Sequence, residues 1–347
     1  TIIITINNVS TYLLFIYKYI HINFITSKLN SDIILLMTDD IILITGCAGF
    51  IGSHLSELLL QNNYTVIGID NMNTYYDVSK KEANLNILYK YSNFSFYKED
   101  IRTTNIIEKM NPTIVVHLAG MAGVRYSIQN PSEYVDVNIK GHINLLEQAV
   151  KTKIKKFLFA SSSSVYGGNT KTPFSETDVI EKQKSPYAVS KKSMEDFSKL
   201  YNKLYGINIL GFRFFTVYGP RGRPDMAPYK FLYKIKNNLK IDKYGDGTSM
   251  RDYTYIDDIV NGLYNAIKKN IDGYELFNLG NSSPILLNDF IEKCENVCNK
   301  KAIINQMGMQ QGDVEITYAD ISKSQKMLGY NPKTNLDEGL KQTLDSL

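Results

Sequence analysis

The run "DIILITGCAGFIGSHLSELLLQ" constrains the fold more than any other stretch of the chain. An apolar run meets Gly46, Gly49 and Gly52 at the spacing G-x-x-G-x-x-G, and a helical pattern follows at once. A buried strand that turns through glycines into a helix is the opening unit of a parallel α/β sheet. Glycines there allow a tight turn and a close approach of backbone to a pyrophosphate, which the helix N–H groups then hold. A second apolar run, "YTVIGID", ends on Asp70, 18 residues past Gly52. A carboxylate at that place accepts hydrogen bonds from two ribose hydroxyls and repels a 2′-phosphate. No Arg follows it directly, so NAD rather than NADP is the expected cofactor.

Alternation continues through "FSFYKED", "IIEKMNPTIVVHLAG", "VNIKGHINLLEQAVK", "KKFLFASSS", "YAVSKKSMEDFSKLYNKLYG" and "INILGFRFFTVYG". Short apolar strands alternating with amphipathic helices predict a doubly wound parallel sheet with helices on both faces. The last of these runs reads as one strand. Past Gly219 the pattern loosens into a loop, "PRGRPDMAPY", then "KFLYKIKNN" as a helix and "MRDYTYIDDIVNGLYNAIKK" as a strand entering a helix. This predicts a smaller C-terminal α/β domain.

Residues 1–36 stand apart. Their apolar part, Tyr12 to Ile25, is interrupted by Lys18 and His21 and is shorter than the ~20 apolar residues of a bilayer span. The expectation is an extension outside the working fold, with no membrane contact; the alternative is a signal-anchor. The 39 basic and 35 acidic residues leave a net charge of +4, with no dense basic run to suggest nucleic acid. Three cysteines in 347 residues exclude a disulfide framework, and Cys47, Cys294 and Cys298 show no metal-ligand spacing with the four histidines. No metal is expected, and a reducing compartment, the cytoplasm, fits best.

Two motifs carry chemistry. "SPYAVSKK" places Tyr187 and Lys191 four residues apart, on one face of a helix. An ammonium beside a phenol favours the phenolate, so Tyr187 reads as a base. "ASSSSVYG" ends a buried strand in four hydroxyls, none of them an acid.

With "TGCAGFIGSH", "HLAGMAGVRYSIQNPSEYVDVNIKG", "ASSSSVYGGNTKTPFSE", "YAVSKK", "RFFTVYGPRGRPDMAPYKF" and "RDYTYIDDIV", the chain from about residue 40 resembles the extended short-chain dehydrogenases/reductases. These are NAD-dependent nucleotide-sugar epimerases and dehydratases, and the narrower likeness is to the UDP-glucuronate 4-epimerases. The resemblance implies a Rossmann-type NAD domain over 37–215 and a mainly nucleotide-sugar-binding domain over 216–347, with the chain crossing between them. It implies a UDP-sugar substrate, a homodimer, and catalysis by Tyr187, Lys191 and Ser162. Cofactor contacts fall on Gly46, Gly49, Phe50, Ile51, Gly52, Asp70, Asn71, Asp100, Ile101, Leu118 and Ala119, besides Tyr187 and Lys191. Thr216 and Arg223 fall in the sugar pocket, and Arg251 and Asp313 hold the nucleotide. Two residues depart from the pattern: Gly120, where alanine is usual, and Gln310, where glucose epimerases tend to carry arginine.

The resemblance also gives the serines a meaning. Sister decarboxylases and dehydratases carry a glutamate, or an aspartate and a glutamate, before Val-Tyr-Gly; here those positions are Ser163 and Ser164. Oxidising carbon 4 of a glucuronate makes a β-keto acid prone to lose carbon dioxide. Serines donate to its carboxylate without repelling it. Arg223 is the expected charged partner, with Arg125 in "GVRYS" a weaker one. The alternative is that Ser163 and Ser164 only satisfy loop backbone. An epimerase of UDP-glucose or UDP-N-acetylglucosamine, or a silent NAD-binding protein, are the other functions this pattern allows.

Overall fold

The structure, a computed structural model, describes residues 40–309 and 312–347. The expectations for residues 1–36 and for Gln310 lie outside the described residues.

The glycine-loop strand is β1 (Ile41–Thr45). It is followed by β2 (Thr65–Ile69), β3 (Phe94–Tyr97), β4 (Ile114–His117), β5 (Lys156–Ser162), β6 (Ile209–Phe214), β7 (Thr216–Tyr218), β8 (Lys240–Tyr244), β9 (Met250–Tyr255) and β10 (Tyr274–Leu279). Seven strands form one parallel sheet in the order β10-β6-β5-β4-β1-β2-β3. β4, β5 and β6 are buried along their whole length, as strands covered on both faces must be. Alternate residues feed two cores: Ile42 and Ile44 pack on one side of the sheet, Leu43 on the other.

Strand order reverses at β1, which pairs with β2 through Thr45 and Ile69 and with β4 through Thr45 and His117. Connections leave to opposite faces there, so a crevice opens beyond the strand ends. No helix among the described residues is long and apolar enough to cross a membrane.

Three features differ from the sequence expectation. "INILGFRFFTVYG" is two strands, because Phe215 breaks the run and donates its N–H to Leu279 O at 3.1 Å. β7 then leaves the main sheet and pairs with β9, Thr216 opposite Tyr253. The seventh strand, β10, comes from beyond Gly219 and joins β6 in parallel register, Tyr274 opposite Ile209. "VNIKGHINLLEQAVK" starts within a π-helical turn, Val135–Lys140, that precedes the α-helix Gly141–Thr152. The wide turn aims Asn138 inward, where its amide donates to Met121 O and Ser190 Oγ, each at 2.9 Å.

Candidate active site

A cleft of about 370 Å³ lies along the strand ends at the reversal point, within the usual range for a small-molecule site. At one end is the glycine loop. Gly46 holds φ +73°, and a Cβ on it would sit 2.8 Å from Ala119 N. A Cβ on Gly52 would lie 2.1 Å from Gly46 O, inside any contact distance. The helix Phe50–Gln61 therefore starts hard against the turn, and its first turn carries no acidic residue. A dinucleotide's pyrophosphate fits this cradle, where helix N–H groups and dipole favour an anion.

Asp70 follows β2 and is buried. Its Oδ1 accepts from Met72 N–H at 2.8 Å and from Lys81 Nζ at 3.2 Å. Lys81 also reaches Asn73 Oδ1 at 3.2 Å and lines the cleft. Its helix, Val78–Leu88, brings it back over the strand end, and nothing in its spacing from Asp70 announces the pair. Phe50, Ile51, Asn71, Ile101, Leu118 and Ala119 line the same end. The Asp100 carboxylate does not; Arg102 grips it with two hydrogen bonds at 2.9 and 2.8 Å and Asn71 donates at 3.0 Å. Those donors hold its pKa well below the usual carboxylate range, Arg102 most strongly.

Tyr187 and Lys191 enter mid-cleft from the helix Pro186–Tyr205. Ser185 caps this helix by accepting Ala188 N–H at 3.2 Å, and Pro186 suits its first position. Lys191 is buried and donates to Ala160 O at 2.7 Å. Burial lowers its pKa to about 8, against a raising effect from Glu195. Burial raises the Tyr187 phenol, opposed by a hydrogen bond from Ser162 and by the charge of Arg223. Ser162 Oγ accepts Ser164 N–H at 3.2 Å, which starts the 3₁₀ turn Ser163–Tyr166 and leaves the Ser162 proton free to donate. Ser163 and Ser164 line the cleft, and their hydroxyls make no hydrogen bond to another described residue.

At the far end Thr216 and Arg223 line the cleft with Tyr75 and Tyr76. Arg223 is clamped by Asp225, Nε to Oδ1 at 3.0 Å and a second bond from its terminal nitrogen. Burial disfavours the guanidinium charge, Asp225 more than offsets it, and the pKa is raised. Tyr75 OH donates to Asp225 at 3.3 Å, and burial together with that carboxylate pushes its pKa up to about 12. Tyr75 packs edge-on to Tyr126 at 5.1 Å, and Tyr134 packs edge-on to Tyr187 at 6.0 Å.

Besides Asp100, three expected ligand contacts, Arg125, Arg251 and Asp313, lie off the cleft wall. Arg125 pairs with Asp313 at 3.3 Å and lies 4.4 Å over the Tyr244 ring. Arg251 donates to Met250 O at 2.9 Å and faces Glu315 O. Arg125 is thus spent on Asp313, away from the serines. Lys81, Tyr75 and Asp225 are site residues that sequence reading missed.

Comparison with known proteins agrees with this geometry. The family described as GDP-mannose 4,6 dehydratase matches residues 43–343. The chain is 44% identical over 308 residues to a UDP-glucuronate 4-epimerase of Thermodesulfobacterium geofontis, covering 87% of this chain and 94% of that protein. The crystal structure of UDP-glucuronic acid 4-epimerase from Bacillus cereus, with UDP-glucuronic acid and NAD, superposes with TM-score 0.84 at 39% identity, over 88% of this chain and 98% of that one. A Thermotoga maritima UDP-glucose 4-epimerase with UDP-glucose gives TM-score 0.81 at 33% identity, over 88% and 98%.

Proposed function

Because the chain belongs to the GDP-mannose 4,6 dehydratase family, among the extended short-chain dehydrogenases/reductases, we propose that it inverts carbon 4 of UDP-glucuronate to give UDP-galacturonate. The observation that carries the sugar choice is the wall beside Tyr187: free serine hydroxyls and a guanidinium, with no carboxylic acid among Ser161–Ser164. Such a wall suits a substrate carboxylate and lacks the acid that the sister decarboxylases and dehydratases carry.

NAD, when bound, accepts the hydride from carbon 4 and gives it back. The cradle at Gly46–Gly52, the free first turn of the helix and Asp70 fit that cofactor. Tyr187 takes the proton from the sugar 4-hydroxyl, and Ser162 donates to the same oxygen and passes the proton on. Lys191 keeps positive charge in the pocket below about pH 8 and holds the Ala160 carbonyl. Ser163, Ser164 and Arg223 hold the carboxylate of the 4-keto sugar, with donors of Arg223 that Asp225 leaves unused. Thr216 lines the sugar side, and Arg251 and Asp313 serve the nucleotide.

A second reading, UDP-glucose as substrate, draws support from Asp225, which already offsets the Arg223 charge. A homodimer is supported by exposed Val135, Val189, Leu200 and Leu204, which lie on the π turn and on the Tyr187 helix. Free cysteines support a reducing compartment, the cytoplasm.

The test is conversion of UDP-glucuronate by the purified chain, with products separated by sugar-nucleotide chromatography. UDP-galacturonate as sole product is expected; a decarboxylated pentose, or turnover of UDP-glucose alone, overturns the sugar assignment. Tyr187→Phe should retain NAD and lose ~10²–10⁴-fold in turnover. A variant within a few-fold of wild type sinks the role of Tyr187.

A further inference from the structure

Behind the serines runs a buried polar network that the proposed chemistry does not use. Glu195 and Arg213 are each 2% exposed, one on the Tyr187 helix and one on β6. Arg213 grips Glu195 with two bonds of 2.8 Å, Nε to Oε1 and a terminal nitrogen to Oε2. Its other terminal nitrogen donates to Tyr166 OH at 3.0 Å, and Tyr166 OH donates to Asn278 Oδ1 at 2.7 Å. On the cleft side, Ser161 Oγ donates to Glu195 Oε1 at 2.6 Å.

The ends of this network matter. Ser161 precedes Ser162, and Tyr166 closes the 3₁₀ turn that carries Ser163 and Ser164. The serine segment is therefore pinned on both sides, by Glu195 at its start and by Arg213 at its end. Glu195 is also one helical turn past Lys191, whose ammonium holds the carbonyl of Ala160, immediately before Ser161. A buried ion pair is a poor device for stability alone, since apolar residues of similar volume often do as well or better. It is a good device for holding one geometry.

We propose that Glu195 and Arg213 are positioning residues for the 4-epimerisation, fixing the serine segment and Lys191 relative to Tyr187. The inference rests on the epimerase reading above. Charge adds a second consequence. Lys191 is faced by Glu195 on its own helix, by His117 from β4 and by His142 from the helix Gly141–Thr152. The two histidines stack at 5.3 Å, and burial lowers the pKa of both, His142 to about 3, so they bring no charge. Glu195 is the carboxylate that opposes the effect of burial on Lys191.

The experiment compares wild type, Glu195→Gln and the double substitution Glu195→Met with Arg213→Met, using UDP-glucuronate and UDP-glucose. Misplacement of catalytic groups by about 1 Å costs on the order of 10²-fold, so kcat should fall about 10–100-fold for whichever sugar wild type turns over. The loss should fall on kcat more than on KM or NAD retention, because the network pins Ser163, Ser164 and Lys191 but does not reach the glycine loop or Arg223. In Glu195→Gln the lost carboxylate and the uncompensated Arg213 both disfavour a charged Lys191, so the alkaline limb of the kcat profile moves to lower pH. The double variant should melt near wild type yet stay impaired. Wild-type kcat in the double variant, or in Glu195→Gln a loss matching its unfolded fraction with the pH profile unmoved, overturns the proposal. A wild type that turns over only UDP-glucose defeats the sugar assignment and leaves this test intact; one inert to both sugars overturns both.

Discussion

The two ends of the cleft are built in different ways. At the glycine loop, backbone makes the site: Gly52 approaches Gly46 O, and Gly46 approaches Ala119 N, with no room for a Cβ. All three glycines sit within seven consecutive residues. At the sugar end, side chains make the site, and they come from Tyr75, Ser162–Ser164, Thr216 and the Arg223–Asp225 pair, far apart in sequence. A site made of backbone is local and tolerates no added atom. A site made of charges is dispersed, and its parts can be weakened one at a time.

The contrast predicts unequal responses. The largest should come from Gly52→Ala, because its methyl would overlap a backbone oxygen that cannot move aside. Overpacking of this kind costs about 1–3 kcal/mol, so the melting temperature should fall and NAD should no longer co-purify. A variant that melts normally and keeps its NAD would show that the loop has slack. Arg223→Ala should be intermediate. It should raise KM for UDP-glucuronate by on the order of tenfold, as expected for a hydrogen bond to a charged group, and leave that for UDP-glucose nearly unchanged. An equal effect on both sugars would show that Arg223 serves a group common to both. Gly120→Ala should be the smallest. Its Cβ would meet Asn138 Oδ1 at 2.9 Å, the end of a side chain rather than backbone. Asn138 should give way, with turnover falling by no more than a few-fold; a larger loss would mean that the hydrogen bonds of Asn138 hold Lys191's surroundings more tightly than the glycine loop is held.

Legibility divides along the same line. The first six strands of the main sheet could be read from the chain: the inner five are near-continuous apolar runs, and β3, part-exposed at the sheet edge, followed from its place in the alternation. The seventh could not. β10 lies 60 residues beyond β6 in numbering, and only its register beside β6 makes it part of that sheet. Thr216 was expected in the sugar pocket, yet the reason it faces the cleft is the break at Phe215, invisible within "GFRFFTVYG".

Sequence by itself determined the glycine turn, the acid after β2, the helical pairing of Tyr187 with Lys191 and the lack of an acid before Val-Tyr-Gly. Each is a relation between neighbours along the chain, set by backbone geometry and helical period. Tertiary structure alone decided that Lys81 pairs with Asp70, that Arg125 turns to Asp313, and that Glu195 and Arg213 lie behind the serines. Charges choose partners by distance in space. A sequence shows which charges are present, and packing decides which of them meet.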